Sequence, residues 1–283
     1  MSVKFLIWGG NGWIGSMLRK ILEEQKYIVI TAKSRLQDYM GILKELDEIN
    51  PDFVLNCAGI TGRPTVDWCE DHKQDTYLIN TIGVVNLADA CWRRKCHLTY
   101  YATGCIYMYD KDHPIGGSLS KFSELDLPNF RGSTYSKSKI YSEELLKHYD
   151  NVLILRIRMP ISENLHPKNL ITKLIKYPKV VNIPNSITIL SEMLPISVNM
   201  TLSKLTGIYN FTNPGAISHN EILTLYKRYV DPNFVWENFT EDEQSKILKS
   251  QRSNCELDIT KLIKLYPITE IHEAIVNVMQ NIK

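Results

Sequence analysis

Apolar and polar positions follow two rhythms over the first 160 residues. Short, solid apolar runs at Val3–Trp8, Tyr27–Thr31, Phe53–Cys57, His97–Ala102 and Val152–Ile157 read as buried strands. Stretches with helical spacing lie between them: Ser16–Glu24, Arg35–Ile49 ending at Asn50-Pro51, Gln74–Trp92 and Ser136–Tyr149. Strands that are apolar throughout, taking turns with helices, predict βαβ units and a parallel sheet covered on both faces. The expected fold class is therefore α/β, a Rossmann-type doubly wound sheet. Ligands of such sheets bind beyond the carboxyl ends of the strands.

The rhythm breaks after Pro160. Pro178–Pro184 and Pro195–Ser197 read as short, proline-marked segments, and His219–Lys283 as mostly helical. The expected organisation is a dinucleotide-binding domain over 1–160, joined by a returning segment near 186–215 with a strand at Gly207–Phe211. Segments 161–185 and 216–283 form a smaller substrate-binding domain over the cleft.

Composition narrows the function classes. The apolar share is 44% and the charged share 23%, which excludes a disordered chain. Lys+Arg less Asp+Glu is 33 − 31 = +2, so there is no electrostatic footprint for nucleic acid or an anionic membrane. No apolar run approaches the ~18–20 residues of a membrane span. The first apolar run ends in glycines after Trp8, unlike a secretory leader, so a cytoplasmic enzyme is expected. The six cysteines include no C-x-x-C and the histidines are scattered, which predicts reduced thiols and no metal. The N-x-T triplets at Asn199, Asn210 and Asn238 are read as chance matches.

Four of the 14 glycines, Gly9, Gly10, Gly12 and Gly15, fall in GGNGWIG between a strand and a helix. That context makes the loop, with Asn11, Trp13 and Ile14, a dinucleotide fingerprint: the backbone comes close to a pyrophosphate and the helix dipole favours it. After the second strand the chain reads Ala32-Lys33-Ser34-Arg35, and the first acid is Asp38. Lys33 and Arg35 suit a ribose 2′-phosphate, so NADPH is the expected cofactor and NADH the alternative. Small Ala58 and Gly59 are expected to line the adenosine side, and Met159 and Pro160 to pack on the nicotinamide.

Tyr135 and Lys139 stand at i and i+4 at the start of a helix. An ammonium beside the phenol is expected to lower its pKa, making Tyr135 a general acid for a carbonyl oxygen while hydride reaches the carbon. Thr103, ending HLTYYAT, is placed to hydrogen-bond the same oxygen. Together with the glycine loop these residues resemble the extended short-chain dehydrogenase/reductases. The runs NCAGITGRPTVDWCEDHK, YATGCIYMYD, PNFRGSTYSKSK, LRIRMPIS, NLITKLIKY and GIYNFTNPGAISHNEIL resemble, over nearly the whole chain, the nucleotide-rhamnose synthase/epimerase-reductases.

That resemblance implies 3,5-epimerisation and NADPH-dependent 4-reduction of UDP-4-keto-6-deoxy-D-glucose to UDP-L-rhamnose. It also implies Cys105 as the epimerisation base and Lys173 as its partner acid, with Tyr107 and His113 as nearby alternatives. C3 and C5 both flank the C4 ketone, so inversion must precede the reduction that removes it. Arg63, Asn80, Asn164 and Arg252 are candidates for contacts to the nucleotide sugar. A reductase acting on an already epimerised sugar is the alternative within enzymology, and an NADPH-sensing regulator the alternative outside it. The chain lacks a second glycine-loop/Y-x-x-x-K set, which leaves the preceding 4,6-dehydration to a separate enzyme. A homodimer through the helices at 74–92 and 136–149 is expected.

Overall fold

A computed structural model describes residues 3–117 and 119–282. Met1, Ser2 and Lys283, which end segments of the sequence reading, lie outside the described residues. Six strands make one sheet: β1 (Lys4–Trp8), β2 (Ile28–Thr31), β3 (Phe53–Asn56), β4 (His97–Thr103), β5 (Val152–Ile157) and β6 (Gly207–Asn210). They are parallel throughout, in the order β2-β1-β3-β4-β5-β6. All seven residues of β4 and all four of β3 are buried, as the solid apolar runs require of strands covered twice.

The period of two sorts side chains to the two faces. Phe5 and Ile7 pack in one core with α1 (Trp13–Glu24) and the later helix Leu190–Leu202. Leu6 and Trp8 pack in the other with α2 (Tyr39–Ile49) and α3 (Val84–Arg93). Next in the chain come α4 (Thr134–Leu146) and the short α5 (Leu170–Leu174), so that Leu190–Leu202 is α6. A third apolar cluster joins Ile161, Ile171 and Ile187 to Ile217, Ile222 and Ile275, apart from the sheet. From β1 the chain moves to β2 on one side and afterwards to β3 on the other. The crevice between β1 and β3 is therefore the switch point where ligands bind.

Two elements differ from expectation. The run 74–92 is not one helix: Lys73–Tyr77 passes through a π-helical turn at Leu78–Gly83 before α3 begins. Pro195 does not break the chain but lies inside α6. Proline there removes one backbone donor, and the fully buried Leu190, Met193, Leu194 and Val198 hold the helix on the sheet regardless. Among the described residues no helix is long and apolar enough to cross a membrane.

Candidate active site

The glycine loop joins β1 to α1 at the switch point. Gly9 has φ +76°, and a Cβ there would stand 2.6 Å from the Ala58 nitrogen. At Gly15 a Cβ would meet the Gly9 carbonyl at 2.2 Å, while Gly12 N donates to that carbonyl at 2.9 Å. Side chains are thus barred where loop, helix and β3 converge. Gly12 caps α1 with no side-chain bond, which leaves first-turn amides for an anion. Buried Trp13 Nε1 and Asn56 Nδ2 have no acceptor. These features fit the pyrophosphate of a dinucleotide.

Trp13 also stacks on His166, with ring centroids 5.1 Å apart. Lys33 and Arg35 are exposed beyond edge strand β2. Their loop is held by an unforeseen residue, Glu45, whose carboxylate accepts from Lys33 N at 2.7 Å and Ser34 N at 2.9 Å. Asp38 is engaged as the N-cap of α2, accepting from Gly41 N.

Tyr135 lies in the first turn of α4, which Ser133 caps. Glu70 holds that turn from outside, accepting from Thr134 N at 2.6 Å and Thr134 Oγ1 at 2.7 Å. The expected lowering of the phenol pKa is not found. Burial pushes Tyr135 well above its ordinary value, Cys105 adds to the rise, and only the Thr103 hydroxyl opposes it. The Lys139 ammonium is 6.0 Å from the Tyr135 ring and donates instead to Tyr100 Oη at 2.9 Å. Tyr135 is thereby kept as a neutral phenol, the form a proton donor needs.

Cys105 stands two residues past the end of β4. Its nitrogen donates to Thr103 Oγ1 at 3.1 Å and its carbonyl accepts from Ser136 Oγ at 2.6 Å. The Cys105 backbone thereby ties the threonine hydroxyl to the tyrosine helix. Lys173 on α5 is half-buried; burial, then Lys168 and Arg252, lower its amine, against the opposing pull of the Cys105 sulfur. Tyr107 and His113 are committed elsewhere, the first donating to Asp126 O at 2.8 Å and the second stacked on Phe122 at 3.9 Å.

The candidate sugar contacts divide. Asn80 is wholly buried and not open to substrate: its amide bonds Ile60 N and O, both at 2.8 Å, and Ser138 Oγ at 3.2 Å. The π turn brings it inward, where it ties the loop after β3 to α4. Arg252 pairs with Asp67 at 2.9 Å and with Ser250, so part of its fork is already taken. Asn164 is exposed. Partial burial and then the Arg63 guanidinium lower the Lys168 amine, making a cationic pair the sequence reading did not contain. Met159 carries φ +39°, a strained backbone at the carboxyl end of β5.

A further residue missed is Arg158, 1% exposed, whose Nη1 lies 3.5 Å from Cys105 Sγ. An arginine ending the apolar strand run LRIRMP was its signal.

Comparison with known proteins shows the family. The RmlD substrate binding domain model matches residues 3–183. A bifunctional dTDP-4-dehydrorhamnose 3,5-epimerase/dTDP-4-dehydrorhamnose reductase of Arabidopsis thaliana is 52% identical over 97% of this chain and 92% of its own length. The chain belongs to the RmlD substrate-binding family. Within that family, a trifunctional UDP-glucose 4,6-dehydratase/UDP-4-keto-6-deoxy-D-glucose 3,5-epimerase/UDP-4-keto-L-rhamnose-reductase of Arabidopsis thaliana is 50% identical over 97% of this chain. The match covers only 41% of that longer relative. The crystal structure of the L780 UDP-rhamnose synthase from Acanthamoeba polyphaga mimivirus superposes with a TM-score of 0.95 at 42% identity, covering 99% of this chain and all of that one.

Proposed function

We propose that this protein is a bifunctional enzyme that converts UDP-4-keto-6-deoxy-D-glucose to UDP-L-rhamnose by 3,5-epimerisation and NADPH-dependent 4-reduction. Relatives 50–52% identical carry both activities in their names, which supports the pair over a reductase alone. The observation that carries the reading is the junction at Cys105: its backbone bonds Thr103 Oγ1 at 3.1 Å and Ser136 Oγ at 2.6 Å, so epimerising thiol and reducing hydroxyls serve one pocket.

Tyr135 and Thr103 hold the C4 oxygen and stabilise the charge that gathers there. Cys105 takes a proton from C3 or C5, and Lys173 returns one to the opposite face. A lowered Lys173 amine releases its proton more readily than an ordinary lysine. Once both centres are inverted, Tyr135 protonates the oxygen. Bound NADPH would supply the hydride for this reduction. The loop Gly9–Gly15 with Ala58 and Gly59 would hold its pyrophosphate and adenosine, Lys33 and Arg35 its 2′-phosphate, and Met159, Pro160 and Lys139 its nicotinamide end. Arg63 and Lys168 suit the diphosphate of the sugar nucleotide, with Arg252 and Asn164 at the rim.

Segments 161–185 and 216–283 act as the substrate domain over the sheet domain 1–160 with 186–215. A separate 4,6-dehydratase makes the ketosugar. The chain pairs as a homodimer through the helices around 74–92 and 136–149, where Ile82 (52%), Leu145 (48%) and Tyr141 (40%) are exposed.

Incubation with UDP-4-keto-6-deoxy-D-glucose in D2O without NADPH is expected to place deuterium at C3 and C5; its absence from both carbons would overturn the reading. Repeating the assay with the dTDP sugar decides the base, and adding NADH in place of NADPH decides the cofactor.

A further inference from the structure

Arg156 and Arg158 are both buried at the end of β5, at 2% and 1% exposure. Arg156 meets a carboxylate: Glu143 accepts from its Nη2 at 2.6 Å and its Nε at 2.9 Å. Arg158 meets none among the described residues. Its Nη1 donates to Ser253 Oγ at 2.9 Å and Gly104 O at 3.3 Å, its Nη2 to Ser253 O at 2.6 Å and to Asn185 Oδ1, and its Nε has no partner. A buried cation surrounded by neutral acceptors is costly. Such a charge calls for an anion. The one ionisable atom in its hydrogen-bonding shell is Cys105 Sγ, 3.5 Å from Nη1.

We propose that Arg158 is the counter-ion of Cys105, and that the resting enzyme holds a guanidinium–thiolate pair, its arginine buried and its cysteine half-buried, that removes the C3 and C5 protons. The second half of this statement rests on Cys105 being the epimerisation base; the first half does not.

The groups facing the sulfur agree in sign. Arg158 after β5 and Lys173 on α5 both favour an anion at this point. Tyr135 on α4 is held neutral by its burial, and Cys255, whose Sγ is 3.7 Å from Gly104 O, is pushed up to about 11 by its own. His219 is likewise kept neutral by burial, with Arg158 adding to the effect. Tyr109, which Arg158 also reaches, is raised by its burial and then by Glu256, and that carboxylate pairs with Lys121 at 3.4 Å.

Proton abstraction then balances simply. The carbon–hydrogen bond breaks, a sulfur–hydrogen bond forms, and the electron pair runs into the C4 carbonyl. Lys173 gives its proton to the other face. Water restores the sulfur and the amine between the two inversions, so no co-reactant is consumed.

Alkylation of unliganded wild-type enzyme by iodoacetamide, followed at Cys105 by peptide mass spectrometry across pH 5–10, tests the pair without any turnover. A thiol with an ordinary pKa of ~8.5 is only about 3% thiolate at pH 7. The pair predicts a rate at pH 7 within threefold of the alkaline plateau. A rate below a tenth of that plateau overturns it. Arg158→Gln is expected to cut the pH 7 rate at least tenfold relative to the plateau, and Arg158→Lys to keep most of it. Equal profiles in wild type and Arg158→Gln would also overturn the pair. If Arg158→Gln does not fold, the wild-type profile still decides. Cys105→Ala is run in D2O beside these. Deuterium still entering at C3 and C5 would remove Cys105 as the base while leaving the Arg158–Cys105 pair to stand or fall on its alkylation profile.

Discussion

Tyr135 is held between two opposing requirements. It must reach a polar carbonyl oxygen, yet it sits among groups that keep its phenol protonated: burial first, then the sulfur of Cys105. The lysine four residues on, which sequence spacing assigns to lowering its pKa, bonds Tyr100 Oη at 2.9 Å and anchors the helix to β4. The phenol is thereby tuned for giving a proton, with its anion expensive until the oxygen of the sugar takes charge. Tyr135→Phe is expected to lower the rate of 4-reduction by about 10²–10⁴-fold, read as NADPH oxidation with UDP-4-keto-L-rhamnose, while NADPH affinity by fluorescence titration changes little. Cys105→Ala is expected to stop deuterium entry at C3 and C5 and to leave reduction of the same pre-epimerised sugar within about tenfold of wild type.

At the scale of elements, the site is built where four strand ends meet two helix starts, and a buried ion pair ties β5 to α4. Arg156 on β5 reaches Glu143 on α4 through two bonds, and Asn210 on β6 through a third at 3.3 Å. Removing one partner leaves a buried charge alone. Glu143→Ala is expected to destabilise the protein by about 3–5 kcal/mol, measured by urea unfolding, and Glu143→Ala with Arg156→Leu by less.

The sequence made the strands, the glycine loop and the Tyr135 helix readable because each depends on local patterning and short spacing. It concealed what depends on distance in the chain. Asn80 reads as a lone polar residue in a helix, and its bonds to Ile60 exist only because a π turn rotates it inward. Glu45 and Glu70 look like solvated acids until folding brings them to the amides of residues 33–34 and of Thr134. Pro195 signals a break locally, and tertiary packing overrides it. Arg158 was legible in part, as a charge in an apolar strand run, but the want of a carboxylate around it was not.

For the whole molecule, buried bases set the acid limit of stability. His219 is driven down to about 4 by burial and then by Arg158. An unfolded histidine binds its proton near pH ~6.5, so the unfolded state gains protons first as pH falls, and stability drops between about 6.5 and 4. Above that window the ring is neutral in both states and contributes no pH dependence. Between pH 7.5 and 5 the loss from this residue is expected to be about 2 kcal/mol. His219→Gln should lose correspondingly less over the same interval, by urea unfolding at both pH values.

The junction between Ser136 Oγ and the Cys105 carbonyl carries one more consequence. Since the backbone that carries the thiol is tied to the start of the tyrosine helix, a flat, anionic mimic of the sugar's enediolate that nestles against both would block inversion and reduction in a single stroke. Variants that escape such an inhibitor by moving either side should forfeit catalysis on the other, which makes this short contact an attractive target for inhibitors that are hard to evade.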